Sequence, residues 1–369
     1  MHFIRSTFFS LLCFCSASSY AQSLYEIDSV ISNIAAANAK LYTGLAIGIV
    51  QQKQIIYHKG FGVIDRKERT LCTDTSIMEV ASISKAIVGM AIAKAIEMGF
   101  CHLDSPVNSM LPFNVVNPHA ASKFITLRQV VTHTSGIHDT PGFFWKTFQY
   151  TDFEDPDVLL YDFVFAFLNP AGRYYNKRGF HKSGINGYPV DYSNLNAALG
   201  ALMVEHVTKM KFSNFTQKYI FNKAGMSKTG WFFSQLVNKT PAQKYTSNKL
   251  RLRHYTIRSY PSSTLFTSVA DMNNLLLSVA NAVSNNVFDN PTTLSILFDD
   301  VSHKYDYGIF WKRYGKHYGC TGVNLGIEAL LRFNPASGSG YIIIFNQTLK
   351  GKQKKIYTEL ERYVDKLTQ

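Results

Sequence analysis

Short aliphatic and aromatic runs crowd the two ends of this 369-residue chain, and that placement constrains its fold more than any other feature. Near the start, Leu45 to Val50 and Ile55 to Val63 flank the polar triplet Gln51-Gln52-Lys53, the pattern of a strand hairpin. Past residue 300 come Tyr307 to Trp311, Ile327 to Phe333 and Tyr341 to Phe345. Asn334-Pro335 and Gly338-Ser339-Gly340 separate the last two. The middle, residues 76–254, reads mainly as helices and loops. Helical spacing recurs at Ile27, Val30, Ile31 and Ile34 before the first strand, and at Ile356, Leu360, Tyr363, Val364 and Leu367 after the last. Thr126-Leu127-Arg128-Gln129 has the form of a capping box, and Ser268-Val269-Ala270-Asp271 resembles it ahead of Leu275 and Leu276. Strands at both ends with helices between predict one sheet built from the two termini, residues 22–75 and 255–369, with a helical lobe, residues 76–254, inserted. The junction of the two lobes is the natural place for a site.

The bulk numbers fit a folded protein: 46% apolar and 17% charged residues. The net charge is +13 but scattered, with one tighter group at Lys350, Lys352, Lys354 and Lys355, and reads as a solvated surface. No nucleic-acid motif accompanies it. Residues 1–21 read as a secretory signal: Arg5, an apolar run from Phe8 to Cys15, then Ser19-Tyr20-Ala21 before Gln22. The expected location is therefore periplasmic or secreted. Cys13 and Cys15 lack the small residues that precede a lipid-modified cysteine, and no later segment is long and apolar enough to span a bilayer. Cleavage would leave Cys72, Cys101 and Cys320, an odd count. Cys72 and Cys101 flank residue 82 and are candidates for a bridge, which spacing alone does not establish.

Chemistry concentrates in Val80-Ala81-Ser82-Ile83-Ser84-Lys85-Ala86-Ile87. A serine and a lysine three apart share one helix face. Apolar neighbours partly desolvate the amine and push its pKa down, which makes it a base for the hydroxyl. That suits a covalent serine hydrolase.

The order of further motifs resembles the beta-lactamase-related serine hydrolases, a family of class C beta-lactamases, low-molecular-weight penicillin-binding proteins and their esterase and peptidase relatives. Ser82 to Lys85 matches the first motif, and Tyr192-Ser193-Asn194 is similar to the second, Tyr-x-Asn. Between them, Ile125 to Ile137 resembles the signature Thr-x-x-x-Leu-Leu-Thr-His-Thr-Ser-Gly, with Val130 and Val131 for the two leucines. Leu265 to Met272 looks like the family's approach to a late helix, and His317-Tyr318-Gly319 stands for the third motif, Lys-Thr-Gly or His-x-Gly. The resemblance covers residues 25–350. It implies an α/β (α+β) beta-lactamase-like fold with an antiparallel sheet.

The resemblance also implies roles. Ser82 is the nucleophile, Lys85 and Tyr192 handle its proton, and Asn194 bonds Lys85 or the substrate carbonyl. On the substrate side, His317 and Gly319 line the strand, and Cys320 supplies the second oxyanion N–H opposite that of Ser82. A histidine in the third motif tilts the expectation toward ester or amide cleavage by an exported enzyme through a Ser82 acyl-enzyme. A beta-lactamase or D-alanyl-D-alanine carboxypeptidase, and an inactive binding homologue, are the alternatives. The expected partners are small or peptide-like acyl substrates, cell-wall peptides among them. No cofactor is expected and no metal. His133 reads as structural, and His133, His138 and Asp139 lack the spacing of a standard metal site. The aromatic stretch Phe143 to Phe167 reads mainly as core. The segment from Pro170 to Tyr192 is longer than the family pattern and bears on pocket shape.

Overall fold

A computed structural model describes residues 24–120, 124–182, 189–236, 240–280, 287–299, 301 and 306–369. Residues 1–21, where a secretory signal is expected, lie outside this range. The chain opens with helix α1 (24–37), then strands β1 (Gly44–Gln51) and β2 (Gln54–Asp65). Gln52 and Lys53 both have positive φ, 47° and 65°, as the mirror-image turn of a two-residue hairpin requires. Short strands β3 (Thr70–Leu71) and β4 (Met78–Glu79) lead to α2 (Ser84–Glu97). Then follow α3 (Leu127–Val131), β5 (Phe148–Tyr150) and α4 (Asn194–Thr208). The chain returns through β6 (Tyr255–Ile257), β7 (Phe266–Thr267) and α5 (Val269–Ala280). It closes with β8 (Lys312–Tyr314), β9 (His317–Asn324), β10 (Ile327–Asn334), β11 (Ser339–Phe345) and α6 (Lys354–Leu367).

The two ends of the chain do share one sheet, in the order β3-β2-β1-β11-β10-β9-β8, antiparallel throughout. The seam is β1 against β11, with Leu45 opposite Phe345 and Ile47 opposite Ile343. Successive side chains of a strand point to opposite faces. Leu45, Ile47 and Ile49 accordingly join Ile343 and Phe345 under α1 and α6, against Ile31, Ile356, Leu360 and Val364. Ala46, Val50, Ile342 and Ile344 face the other way, toward α2 and α5. Both faces are covered, so these strands read as nearly continuous apolar runs.

Three expectations change. The inserted part is not wholly helical, because β5 pairs with β6 and β4 with β7. Tyr307 to Trp311 forms a buried bend, not a strand: Phe310 has φ 59° and the Gly308 N–H donates back to the Trp311 carbonyl. Cys72 and Cys101 are both free thiols. The Cys72 thiol donates to the Leu45 carbonyl (3.3 Å), and Cys101 follows the far end of α2. No helix of the described residues is long and apolar enough to cross a membrane.

Candidate active site

Ser82 sits on a single 3-10 turn, Ala81–Ile83, that runs directly into α2. The turn is fixed from several sides. Val80 N–H donates to the Leu265 carbonyl (3.0 Å), Ser84 Oγ donates to the Ala81 carbonyl (2.6 Å), and Leu265 N–H donates to Ser84 Oγ (3.0 Å). Ala81 has φ 47°, a conformation costly for a residue with a Cβ and tolerated only where the surroundings enforce it. Strand β9 presses on the same turn. A Cβ on Gly322 would lie 2.2 Å from the Val80 carbonyl oxygen, so only glycine allows this approach.

One helical turn on, Lys85 is 2% exposed. Its Nζ lies 2.8 Å from Asn194 Oδ1, 2.8 Å from the Ser262 carbonyl oxygen and 3.3 Å from Ser82 Oγ. Burial pushes its pKa down to about 7, against the opposing pull of Asp139. At that value much of the amine is neutral near pH 7. A neutral amine has two N–H donors, which match Asn194 and Ser262, and one lone pair, which is left for the Ser82 hydroxyl.

Tyr192 comes from the segment just before α4, and its hydroxyl donates to Ser82 Oγ at 2.6 Å. The side chain is 46% exposed, but its hydroxyl reaches inward, and loss of water there pushes the phenol well above its ordinary value. It therefore holds its proton in the resting site. The ring lies over Lys85 Nζ (4.6 Å to the centroid) and against His133 (4.9 Å between centroids). His133 is buried, its pKa is pushed down to about 3 by that burial, and its Nδ1 accepts from Ser193 N–H (3.2 Å). It is a neutral structural wall behind the tyrosine. The capping box on α3 is present and starts the segment that carries His133.

Asp139 was not anticipated as a partner of the site. Its Oδ2 accepts from Asn194 N–H (3.0 Å) and Asn194 Nδ2 (2.8 Å), and its Oδ1 from Ser193 Oγ (2.8 Å) and Leu195 N–H (3.2 Å). A carboxylate at the N-terminus of α4 satisfies donors that the helix itself cannot, and complements its dipole. Because the Asn194 amide nitrogen is committed to Asp139, its oxygen must face Lys85. Nothing local in the sequence signals this pairing across 55 residues.

The strand side departs from expectation. His317 is 3% exposed, with Nε2 3.0 Å from Thr368 Oγ1 and Nδ1 3.3 Å from Asp365 Oδ1. Its ring lies by Tyr341 on the face covered by α1 and α6, away from Ser82. Gly319 is pressed inside the sheet: a Cβ there would meet the Leu331 carbonyl oxygen at 2.0 Å. The Cys320 thiol donates to the Phe310 carbonyl (3.3 Å) and burial pushes its pKa up to about 11. What borders the cavity is the end of β9, Val323 and Asn324. Pairing with β8 stops at Gly319, so among the described residues the outer edge of residues 320–324 has no strand partner. Strand alternation puts His317 of the expected third motif on the face away from Ser82, and the β9 residues that border the cavity lie a few positions further on.

The cavity over Ser82 measures about 340 Å³. Phe143, Phe144, Phe148 and Ile257 form an apolar wall, and Ser259, Ser262 and Ser263 a hydroxyl-rich one. The aromatic stretch divides between these tasks: Phe163 and Phe167 are buried core, while Trp145 is 72% exposed.

In sequence, 236 residues are 24% identical to Protein flp of Staphylococcus aureus (strain COL), over 62% of this chain and 44% of that protein. The chain thus spans less than half the length of this curated relative. In structure, it is similar to a D-amino acid amidase from Ochrobactrum anthropi SV3 complexed with L-phenylalanine amide: TM-score 0.71, 16% identity, 93% of this chain and 98% of that one. A penicillin binding protein from Bacillus halodurans gives TM-score 0.66 and 22% identity, over 90% and 98% of the two chains. At these identities the structural likeness speaks for the fold. Residues 30–364 match the beta-lactamase family as a whole, and to that family, whose members are serine hydrolases, the chain belongs.

Proposed function

We propose that this protein is an exported serine hydrolase that cleaves an ester or amide bond through an acyl-enzyme on Ser82. One observation carries the reading: Ser82 Oγ lies between the Tyr192 hydroxyl (2.6 Å) and a buried Lys85 amine (3.3 Å) whose pKa is pushed down to about 7. In the first step Ser82 Oγ attacks the substrate carbonyl and its proton passes to the Lys85 lone pair. The oxyanion is held between the Ser82 N–H and the open edge of β9, where Val323 adjoins the cavity; this assigns to Val323 the part expected of Cys320. Tyr192 relays a proton to the leaving group, and water then releases the acyl group. The leader-like residues 1–21 are the ground for export.

The lining favours neutral acyl substrates with an apolar or aromatic group. Among the described residues no lysine, arginine or histidine borders the cavity, and its one carboxylate, Asp139, is engaged with α4. A substrate that ends in a carboxylate, as a D-alanyl peptide does, would find no cation there. Penicillin recognition is the second reading, on the likeness to a penicillin binding protein. A fluorophosphonate probe should label the protein and leave Ser82→Ala unlabelled; labelling that survives the substitution overturns the assignment. Neutral aryl esters and amides should turn over faster than their carboxylate-bearing analogues. Capture of a fluorescent penicillin with faster turnover of carboxylate-bearing substrates decides for the second reading.

A further inference from the structure

Behind the Tyr192 segment, His138, His181 and Asp191 converge so that their ligand atoms all lie within 4.8 Å of one another. We propose that these three side chains form a binding site for a divalent transition metal of the Zn2+ type. The inference is independent of the hydrolase reading.

The backbone builds the site before any ion arrives. Ile137 and Phe180 form an antiparallel bridge, flanked by His138 N–H to the Gly179 carbonyl (3.0 Å) and His181 N–H to the Gly136 carbonyl (2.8 Å). Both histidines adjoin that paired couple, so alternation puts them on one face as diagonal neighbours. Their rings meet edge to face, with centroids 5.0 Å apart. Asp191 is delivered from a third point, its N–H bonded to the His133 carbonyl (2.8 Å). Asp191 Oδ2 lies 2.9 Å from His181 Nε2 and 3.9 Å from His138 Nδ1.

An ordinary histidine–aspartate pair would explain His181 and leave His138 without a purpose. Yet His138 Nδ1 is a buried atom with no hydrogen-bond partner, at a cost that protein interiors generally avoid. A tetrahedral ion with bonds of about 2.1 Å sets its ligand atoms roughly 3.4 Å apart. The 2.9 and 3.9 Å separations from Asp191 bracket that value and all three ligand atoms lie within 4.8 Å of one another, so side-chain rotations can close the site round an ion. Two imidazoles and one carboxylate suit Zn2+, and three protein ligands leave a position for water. His138, His181 and Asp191 are 26%, 32% and 38% exposed, which gives the ion and its water a path in. A bound ion would tie together the turn that carries Asp139 and the segment that carries Tyr192.

The test uses the full mature chain, free of any histidine tag and stripped with a chelator. Titration with Zn2+ followed by calorimetry should show one equivalent bound, and Co2+ should give the visible absorption of a low-coordinate N/O site. His138→Ala, His181→Ala and Asp191→Ala should each weaken Zn2+ binding by more than about 100-fold, beyond the loss typical of an outer-shell partner. His102→Ala, at an exposed histidine elsewhere, should bind as the parent does. Absence of stoichiometric binding to the parent, or equal binding by the His138 and His181 variants, overturns the proposal. If those variants do not fold, anomalous scattering from Zn2+-soaked crystals of the parent decides: a peak among the three side chains supports the site, and its absence there refutes it.

Discussion

In the proposed reaction Ser82 and Lys85 need little from their own side chains and much from what surrounds them. Lys85 has its lowered pKa because it is buried, and its lone pair is aimed because Asn194 and Ser262 occupy its other donors. The pH behaviour follows. Acylation should rise as pH passes through about 7, where the amine loses its proton. Lys85→Arg keeps its proton at every accessible pH and should slow acylation by about 10²–10⁴-fold, the usual worth of a general base. Pre-steady-state release of nitrophenol from a neutral ester, followed across the neutral range, measures both; a profile flat through pH 7 would remove Lys85 from the role. The same shift has a stability sign. The folded value lies below the unfolded one, so the penalty for burying this lysine is full below about pH 7 and fades as pH climbs toward the ordinary lysine value of 10.5.

Between elements, the strand β4 that leads into the Ser82 turn carries a buried acid, Glu79, paired with Lys244 at 2.7 Å. Both side chains are almost fully inaccessible (2% and 4%), and the ammonium also sits 3.4 Å above the Tyr255 ring. Burial pushes the Glu79 carboxyl up and Lys244 down, and the contact between them opposes both shifts. Removing one partner strands the other in a site without water. Lys244→Met should cost about 3–5 kcal/mol, and adding Glu79→Leu should recover most of it. Urea denaturation of the two single variants and the double variant provides the test; additive losses would mean that the pair is not coupled. The two-residue alternation of β9 acts at this scale too. It turns His317 toward α6 and Cys320 toward Phe310, while the end of the strand, Val323 and Asn324, borders the cavity.

Over the whole molecule, the sheet is closed by the meeting of the two ends of the chain, so the last helix is structural rather than a tail. Ile356, Leu360 and Val364 of α6 are fully buried against β1, β10 and β11. At about 1.5–3 kcal/mol per buried aliphatic side chain, their loss approaches the 5–15 kcal/mol by which a domain is usually stable. A chain ending at residue 353 should therefore fail to fold cooperatively, which circular dichroism on heating would show; a sharp native-like transition would contradict this account. The sequence by itself determined the elements whose signal is local: the β1–β2 hairpin, the capping box at Thr126, the Ser268 start of α5 and the amphipathic α6. It also marked Ser82, Lys85, Tyr192 and Asn194, because a helix turn fixes the first pair and a short motif the second. Only the tertiary structure brought these pairs together, supplied Asp139 to turn the Asn194 amide, set which residues of β9 face the cavity, and gathered His138, His181 and Asp191. The reason is physical: hydrogen bonds within a turn depend on spacing along the chain, whereas strand register, burial and contacts across tens of residues depend on how whole elements pack.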